Sequence, residues 1–443
     1  MVRKLRSVRA AEAAGGNAQM MGAPLREGET PGGTLVFDEQ RRARIGFVIE
    51  LARRLHQYGA AAPRLEQAIG NASQQLGLAC DVLSTPTSIV LSFGAPEGDG
   101  IAELTQVVRI APGDVNLARL CRADEIADQV ADGSLSPRSG MEQLHALGRP
   151  LSRAALWATV ISYGLSAASV AALFHTSWQD ALVAGVIGVL IGAIVVAGYS
   201  RPRLSVAGDA LAALVATFIA TMVSAWLVPL GLKMVVLSAL IVLVPGMSLT
   251  NAVRELTSQH LASGVARFAG AAATILKLTF GTIAAAQVCA VAHIIPADHS
   301  LPSMPSWTQW PALVVAAVAF AMLFQAARRD YPLILASVIV AYLVTYWSGN
   351  ALGAPFGVFV GGLVLSAGSN LYARFRHRPG ALVREPGVLL LVPGSVGFRS
   401  VTDLLNNQIA SGTHIAVLLV TLLISLVAGL LFGDLLIAPR RSL

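Results

Sequence analysis

Charge is what this 443-residue sequence has least of: Asp, Glu, Lys and Arg together make up 13%, about half the usual share in soluble proteins. With 55% apolar residues, that excludes a disordered chain and argues against an ordinary soluble enzyme. Cysteine is nearly absent. Cys80, Cys121 and Cys289 share no short spacing, so they make neither a disulfide framework nor a zinc site and read as reduced packing residues. Catalytic signatures are missing too. No G-x-S-x-G elbow, H-E-x-x-H, Walker A or G-x-G-x-x-G occurs, which argues against a hydrolase and against an ATP-driven pump encoded in this chain. No cofactor and no metal is expected, because His56 and His145 stand alone without ligand spacing.

The charge that exists is unevenly placed. Residues 1–153 hold 17 basic and 17 acidic residues, whereas residues 154–443 hold 15 and 8, so the net +7 lies in the apolar part. There it marks the orientation of loops between membrane spans and is no footprint of nucleic acid.

Three zones follow. Residues 1–37 are rich in Ala, Gly, Arg and Met without an apolar run, and read as a disordered tail with no signal-peptide core. Residues 38–150 read as an α+β domain in the order ααβββαα. Ile45, Val48, Leu51, Leu55 and Tyr58 recur on one helical face ended by Gly59; Pro63 opens a second helix that carries Leu65, Ile69 and Leu76 and closes near Gly77. Short strands at Val82–Leu83, Ser88–Phe93 and Leu104–Arg109 are punctuated by Pro86 and the Gly94–Gly100 stretch, and helices return over 114–132 and 137–147.

From residue 151 the chain reads as a polytopic α-helical membrane protein. Residues 151–291 carry apolar runs near 154–175, 181–199, 207–228, 232–249 and 264–291; residues 311–437 carry runs near 311–326, 331–348, 352–373, 386–401 and 414–437. Each approaches the roughly 20 residues needed to cross a bilayer. Small-residue pairs such as Gly188–Gly192 and Gly357–Gly361 suit close helix packing in lipid. Arginine falls at 201/203, 328/329, 374–384 and 440/441 and before the first span, while 176–180, 292–310 and 349–351 contain no Lys or Arg. The positive-inside rule then places both termini and the α+β domain in the cytoplasm.

An internal repeat runs through the two sets. Residues 243–264 align without a gap to residues 391–412, with nine of 22 positions identical, including Val-Pro-Gly and Ala-Ser-Gly. Five spans per half is an odd number, so the halves enter the membrane in opposite senses, a frequent transporter plan with the substrate between the repeats. Pro245-Gly246 and Pro393-Gly394 should break their helices, because proline removes a hydrogen bond and glycine adds freedom. A helix restarting near Met247 would offer free N–H groups to an anion.

The segment VPGMSLTNAVRELTSQHLASGVARFAGA resembles the core motif of the bacterial threonine/serine exporter family. YGAAAPRLEQAIGNASQQLGL with Thr85-Pro86-Thr87 resembles that family's soluble domain, and Ser369–Arg374 with Leu391–Ser395 its C-terminal membrane half. The resemblance covers roughly residues 38–437. It implies export of threonine and serine across the bacterial inner membrane, driven by protons, with the lipid bilayer, protons and a small-molecule substrate as partners and self-association left open. Between Gly59 and Arg64 the chain reads Ala-Ala-Ala-Pro, where relatives often carry hydroxyl or acidic residues. Export of small dicarboxylates, and a membrane-tethered hydrolase or sensor acting through the soluble domain, are the alternatives.

Ionisable residues inside spans are costly and mark function by default. Lys277 could bind a substrate carboxylate or pair with an acid, and Asp209 could carry a proton. Arg254 and Glu255 follow the first Pro-Gly step, Arg399 and Asp403 the second; the arginines could clamp a carboxylate, and the acids could meet an amino group or carry protons. Asn251 and Asn370 could hydrogen-bond an amino acid or join helices. Arg64 and Glu66 are the candidates in the soluble domain, against the alternative of a solvated helix face.

Overall fold

The computed structural model describes residues 31–94, 102–297, 302–392, 394–405 and 409–439. Most of the expected tail, the Gly-rich stretch after Gly94, Pro393 and Arg440/Arg441 lie outside the described residues. The chain divides at Ala43/Arg44 into two units, and everything below concerns the second except the opening of its first helix. That helix, α1, spans Pro31–Gln57, so helical backbone begins earlier than the expected boundary at residue 38.

The order ααβββαα is observed. α1 stops at Gly59, whose φ of +83° suits glycine. α2, Ala62–Gln75, has Pro63 in its first turn and is followed by Gly77 at φ +68°. Strands β1 (Ala79–Thr85), β2 (Ser88–Gly94) and β3 (Ala102–Arg109) form an antiparallel sheet in the order β1-β2-β3. Ile89, Leu91 and Phe93 alternate into the core, the period of two that a half-buried strand requires. α3 (Leu117–Ala131) is capped by Asn116, and α4 (Pro137–Leu147) by Ser136. These elements close over one core that includes Phe47, Leu51, Leu65, Ile69, Ile126 and Leu144.

The rest is helical: α5 Arg153–Leu173, α6 Trp178–Gly198, α7 Pro202–Trp226, α8 Leu232–Ala239, α9 Gly246–Thr257, α10 Leu261–Val291, α11 Gln309–Leu323, α12 Tyr331–Leu352, α13 Ala354–Arg376, α14 Ala381–Leu391, α15 Gly394–Leu405 and α16 Ile409–Leu436. Among the described residues, nine helical stretches are long and apolar enough to cross a membrane, so the chain is a multi-pass helical membrane protein. The fourth expected span is broken, as its Pro245-Gly246 step implies. Residues 232–249 do not form one helix: α8 ends after eight residues, turns follow, and α9 restarts at Gly246. The cause is local. Pro245 lacks a backbone N–H and sits at φ −79°, ψ 46°, outside the helical basin. The ninth expected span is likewise two helices, α14 and α15, divided after Leu391.

Small residues set the helix packing. A Cβ at Gly188 would lie 2.8 Å from the Ala167 Cβ, and one at Gly192 would lie 2.9 Å from the Val160 carbonyl oxygen, so α6 approaches α5 as closely as glycine allows. A Cβ at Gly357 would lie 2.6 Å from the Thr345 carbonyl oxygen, which fixes α13 on α12 in the same way.

The loops sort to two ends of the bundle. The end bearing α1–α4 holds the α9–α10 and α11–α12 connections: His260 Nε2 lies 3.0 Å from Glu66 Oε2, and the Leu117 N–H donates to the Phe324 carbonyl at 2.9 Å. The α13–α14 connection joins it through Arg378, which donates to Asp330 by both terminal nitrogens. At the other end the Met304 N–H donates to the Thr176 carbonyl at 3.0 Å, and the Gly231 N–H to Asp180 Oδ1 at 3.0 Å. The Arg-bearing α11–α12 and α13–α14 connections therefore lie at the first end, and Thr176, Asp180 and Met304 of the Arg-free connections at the second.

Candidate functional site

Two cavities flank the helix breaks. The larger, about 770 Å³, lies between the end of α1, the loop before α3 and helices α5, α7, α9 and α10; Asp209, Pro245, Ser248, Asn251 and Arg267 line it. That volume is in the range of small-molecule sites. The smaller, about 380 Å³, is lined by Phe174, Tyr342, Thr345, Val392, Gly246 and Gly394. Thr345 Oγ1 is buried there without a hydrogen-bond partner among the described residues. Val242, Val244 and Leu389 form the wall that both cavities share.

The breaks meet in that wall. A Cβ built on Gly246 would lie 3.1 Å from Gly394 Cα and would overlap Val392 Cγ1; one built on Gly394 would lie 3.1 Å from Gly246 Cα and 3.0 Å from Val244 Cγ1. Gly246 and Gly394, and Val244 and Val392, are equivalent in the sequence repeat, so each residue touches its counterpart's neighbour in return. The contacts of the two breaks are thus reciprocal. Packing of whole elements repeats the pattern: α9 lies on α10 and α16, while α15 lies on α16 and α10.

The polar candidates separate into groups. Lys277 of α10 and Asp209 of α7 come together, with Nζ 3.3 Å from Oδ2. Glu255 is fully buried. Arg267 grips it with Nε and Nη2 at 2.9 Å each, and the Ala62 N–H at the start of α2 donates to Oε1 at 3.3 Å. Arg254 pairs with Asp434 at 2.9 Å. Asn370 Nδ2 donates to the same Asp434 and to the Ile437 carbonyl, 2.7 Å each, and Ser366 Oγ adds a third bond to that carboxylate at 2.7 Å. Asn370 therefore ties α13 to the end of α16. Asp403 accepts from Ser411 at 2.9 Å, and Arg399 is exposed on α15; neither joins the larger cavity. Glu66 accepts from the Ser84 N–H at 2.7 Å besides facing His260, so it is no solvated face. Arg64 points to a different neighbourhood, beside Arg384, whose charge is the main reason the Arg64 guanidinium drops to about 9, followed by burial and Arg254.

Three residues that sequence reasoning passed over, and His56, which it weighed only as a metal ligand, shape these groups. Asp434 lies inside the last apolar run, where the cost argument used for Lys277 would have found it. Arg267 sits likewise in the fifth run. Asp114 and His56 had no such signal. Asp114 opens onto the larger cavity, where removal from bulk water raises its carboxyl above the usual range. His56 is lowered, first by burial and then by Arg267.

Comparison with known proteins agrees across most of the chain. The threonine/serine exporter family model ThrE matches residues 46–289, and a second model of that description, ThrE_2, matches residues 310–436. Relatives include the pheromone-regulated membrane protein 10 of Eremothecium gossypii, 25% identical over 84% of this chain and 51% of that protein. Others are its namesakes in Candida albicans, 24% identical over 80% of the chain and 33% of that protein, and in Saccharomyces cerevisiae, 23% over 83% and 48%. The chain thus spans about half the length, or less, of the curated relatives it matches. No solved structure matches it.

Proposed function

This chain belongs to the threonine/serine exporter family, and we propose that it is a secondary transporter that exports threonine, serine or a similar small polar metabolite by proton-driven alternating access. The reading rests on one observation above the others: the two helix breaks cross reciprocally, Gly246 against Gly394, in the wall between two cavities. Two inverted halves of five elements each, α5–α10 and α11–α16 with the broken pairs counted once, account for that reciprocity and for the gap-free sequence repeat. The end bearing α1–α4 is then cytoplasmic, as its arginine-rich loops favour, in a bacterial inner membrane.

Substrate enters the larger cavity from the cytoplasm. The start of α9 has no side-chain cap, so its free N–H groups and positive dipole end meet the substrate carboxylate beside Ser248 and Asn251. Lys277 and Asp209 form the proton-coupled pair: a proton on Asp209 releases the ammonium, and its loss restores the ion pair. Rocking of the broken helices about the glycine crossing closes the larger cavity and opens the smaller. The asymmetry of the charged groups between the halves fits a single substrate site rather than two.

Cysteines at Ser248 and Val396 test this. Under threonine at saturating concentration, thiol labelling of the two positions should change in opposite directions, because substrate shifts the balance only through different affinity for the two states. Unchanged labelling at both would reduce the breaks to plain helix ends. A parallel panel of dicarboxylates decides between the two substrate classes.

A further inference from the structure

A third, smaller cavity of about 60 Å³ lies beyond the Tyr58–Ala61 turn, adjoining the larger cavity, with which it shares Tyr58, Gly59, Ala60, Val115 and Asn251. Arg64 of α2, Asn251 of α9, and Arg384 and Glu385 of α14 line it, with Asp124 of α3 the other acid on the wall. It is the meeting point of the N-terminal elements with both broken pairs of helices.

Its two arginines are unequally served. Arg384 is 5% exposed and uses Nε and Nη2 on Glu385 Oε1 at 3.2 and 3.0 Å, while its Nη1 is buried without a partner among the described residues. Arg64 makes no ion pair or hydrogen bond among the described residues, although it faces Arg384 with Arg254 also nearby. Of the neighbouring acids, Asp434 is committed to Arg254, Ser366 and Asn370, and Glu385 to Arg384, while the buried Asp124 on the same wall has a contact of its own. A buried guanidinium nitrogen with no acceptor costs free energy, and two guanidinium groups side by side repel unless something negative stands between them. The planar forks of arginine match the oxygens of carboxylate and phosphate groups.

We propose that Arg64 and Arg384 hold a small oxyanion, a phosphate or carboxylate group, in this cavity, where it bridges α2 to α14 and thereby couples the N-terminal elements to the second broken pair. The bound anion accepts from the free Arg384 Nη1 and from the Arg64 fork, and so stands between the two guanidinium groups. The site is independent of which substrate the larger cavity carries. Its natural occupant is a soluble cytoplasmic anion or the headgroup of an anionic lipid, both of which present the same oxygens.

The test is inorganic phosphate binding to the purified full chain in zwitterionic-lipid nanodiscs, read by titration calorimetry and by thermal unfolding, with chloride at matched ionic strength as reference. Saturable binding is expected, with a higher unfolding midpoint on saturation. Arg64→Gln should weaken phosphate by about ten-fold or more, the scale of one lost charge-assisted contact, and Arg64→Lys, which keeps the charge but not the fork, should fall between. Arg64 is chosen over Arg384 because it is only half-buried. Without phosphate the Arg64→Gln protein should unfold no lower than wild type, since it removes a repulsion. In nanodiscs of anionic lipid, loss of phosphate binding with headgroup occupancy sensitive to Arg64→Gln assigns the site to the lipid; undiminished phosphate binding assigns it to a soluble anion. Equal phosphate affinity in wild type and Arg64→Gln, or no saturable binding in zwitterionic lipid, overturns the proposal.

Discussion

Glu255→Gln is the sharpest single perturbation of the junction between the N-terminal elements and the membrane helices. The carboxylate is fully buried and receives three donors: two from Arg267 at 2.9 Å and the Ala62 N–H at 3.3 Å. The amide keeps the shape but removes the charge and turns an NH2 toward the guanidinium. Breaking a buried pair by changing one partner costs about 3–5 kcal/mol; Arg267 is 20% exposed, which favours the lower end, about 3 kcal/mol. At 1.4 kcal/mol per factor of ten, the start of α2 should open on the order of 100-fold more often. Amide exchange over residues 62–65, followed by mass spectrometry in nanodiscs, reads that opening directly. The double variant Glu255→Gln/Arg267→Gln removes both charges and should recover most of the protection, because replacing a whole buried pair is often close to neutral. Exchange within about three-fold of wild type in Glu255→Gln, or a double variant no better than the single, would refute the view of Glu255 as a clamp.

Other outcomes are equally concrete. Lys277→Met keeps the apolar stem and drops the charge; it and Asp209→Asn should each abolish gradient-driven transport with normal expression, and full transport by Lys277→Met would return the pair to a structural role. Gly246→Ala and Gly394→Ala should each slow transport by more than ten-fold, because both added methyl groups meet the opposite break, whereas binding of labelled threonine should persist; wild-type rates in both would remove the crossing from the mechanism. His56 resists protonation when folded, so as pH falls below 6.5, where the unfolded chain takes up the proton, the folded state loses stability. Thermal midpoints in wild type should therefore fall faster between about pH 7 and about pH 5.5 than in His56→Gln, and parallel profiles would contradict this.

Much of the architecture is legible in sequence because its causes are local. Period-3.6 apolar faces, the glycines at 59 and 77 and Pro63 place the helices of the N-terminal region in the observed order. Hydropathy finds the long helices for the same reason. Alone it would join residues 232–249 into one span, and there the Pro245-Gly246 step marks the division, because apolarity measures the surroundings of a segment and continuity depends on its hydrogen bonds. The candidate site was harder. Asp209 and Lys277 stood out singly, yet their pairing joins residues on different helices that no spacing rule connects. Glu255 shows the converse: its position after the break suggested chemistry, while a partner 12 residues on and a backbone donor from α2 hold it as a clamp. The anionic centre at Asp434 gathers donors from α9 and α13, and only tertiary structure brings them together.

The central claim is proton-driven movement of a small hydroxyl amino acid, and flux in proteoliposomes tests it most directly. Purified protein is reconstituted with the face bearing α1–α4 outward, labelled threonine is added outside, and an inwardly acidic pH gradient is imposed. Threonine should accumulate inside above its external concentration, serine should compete, and a protonophore should collapse the accumulation. Equal threonine levels with and without the gradient, or accumulation that survives the protonophore, would contradict the account.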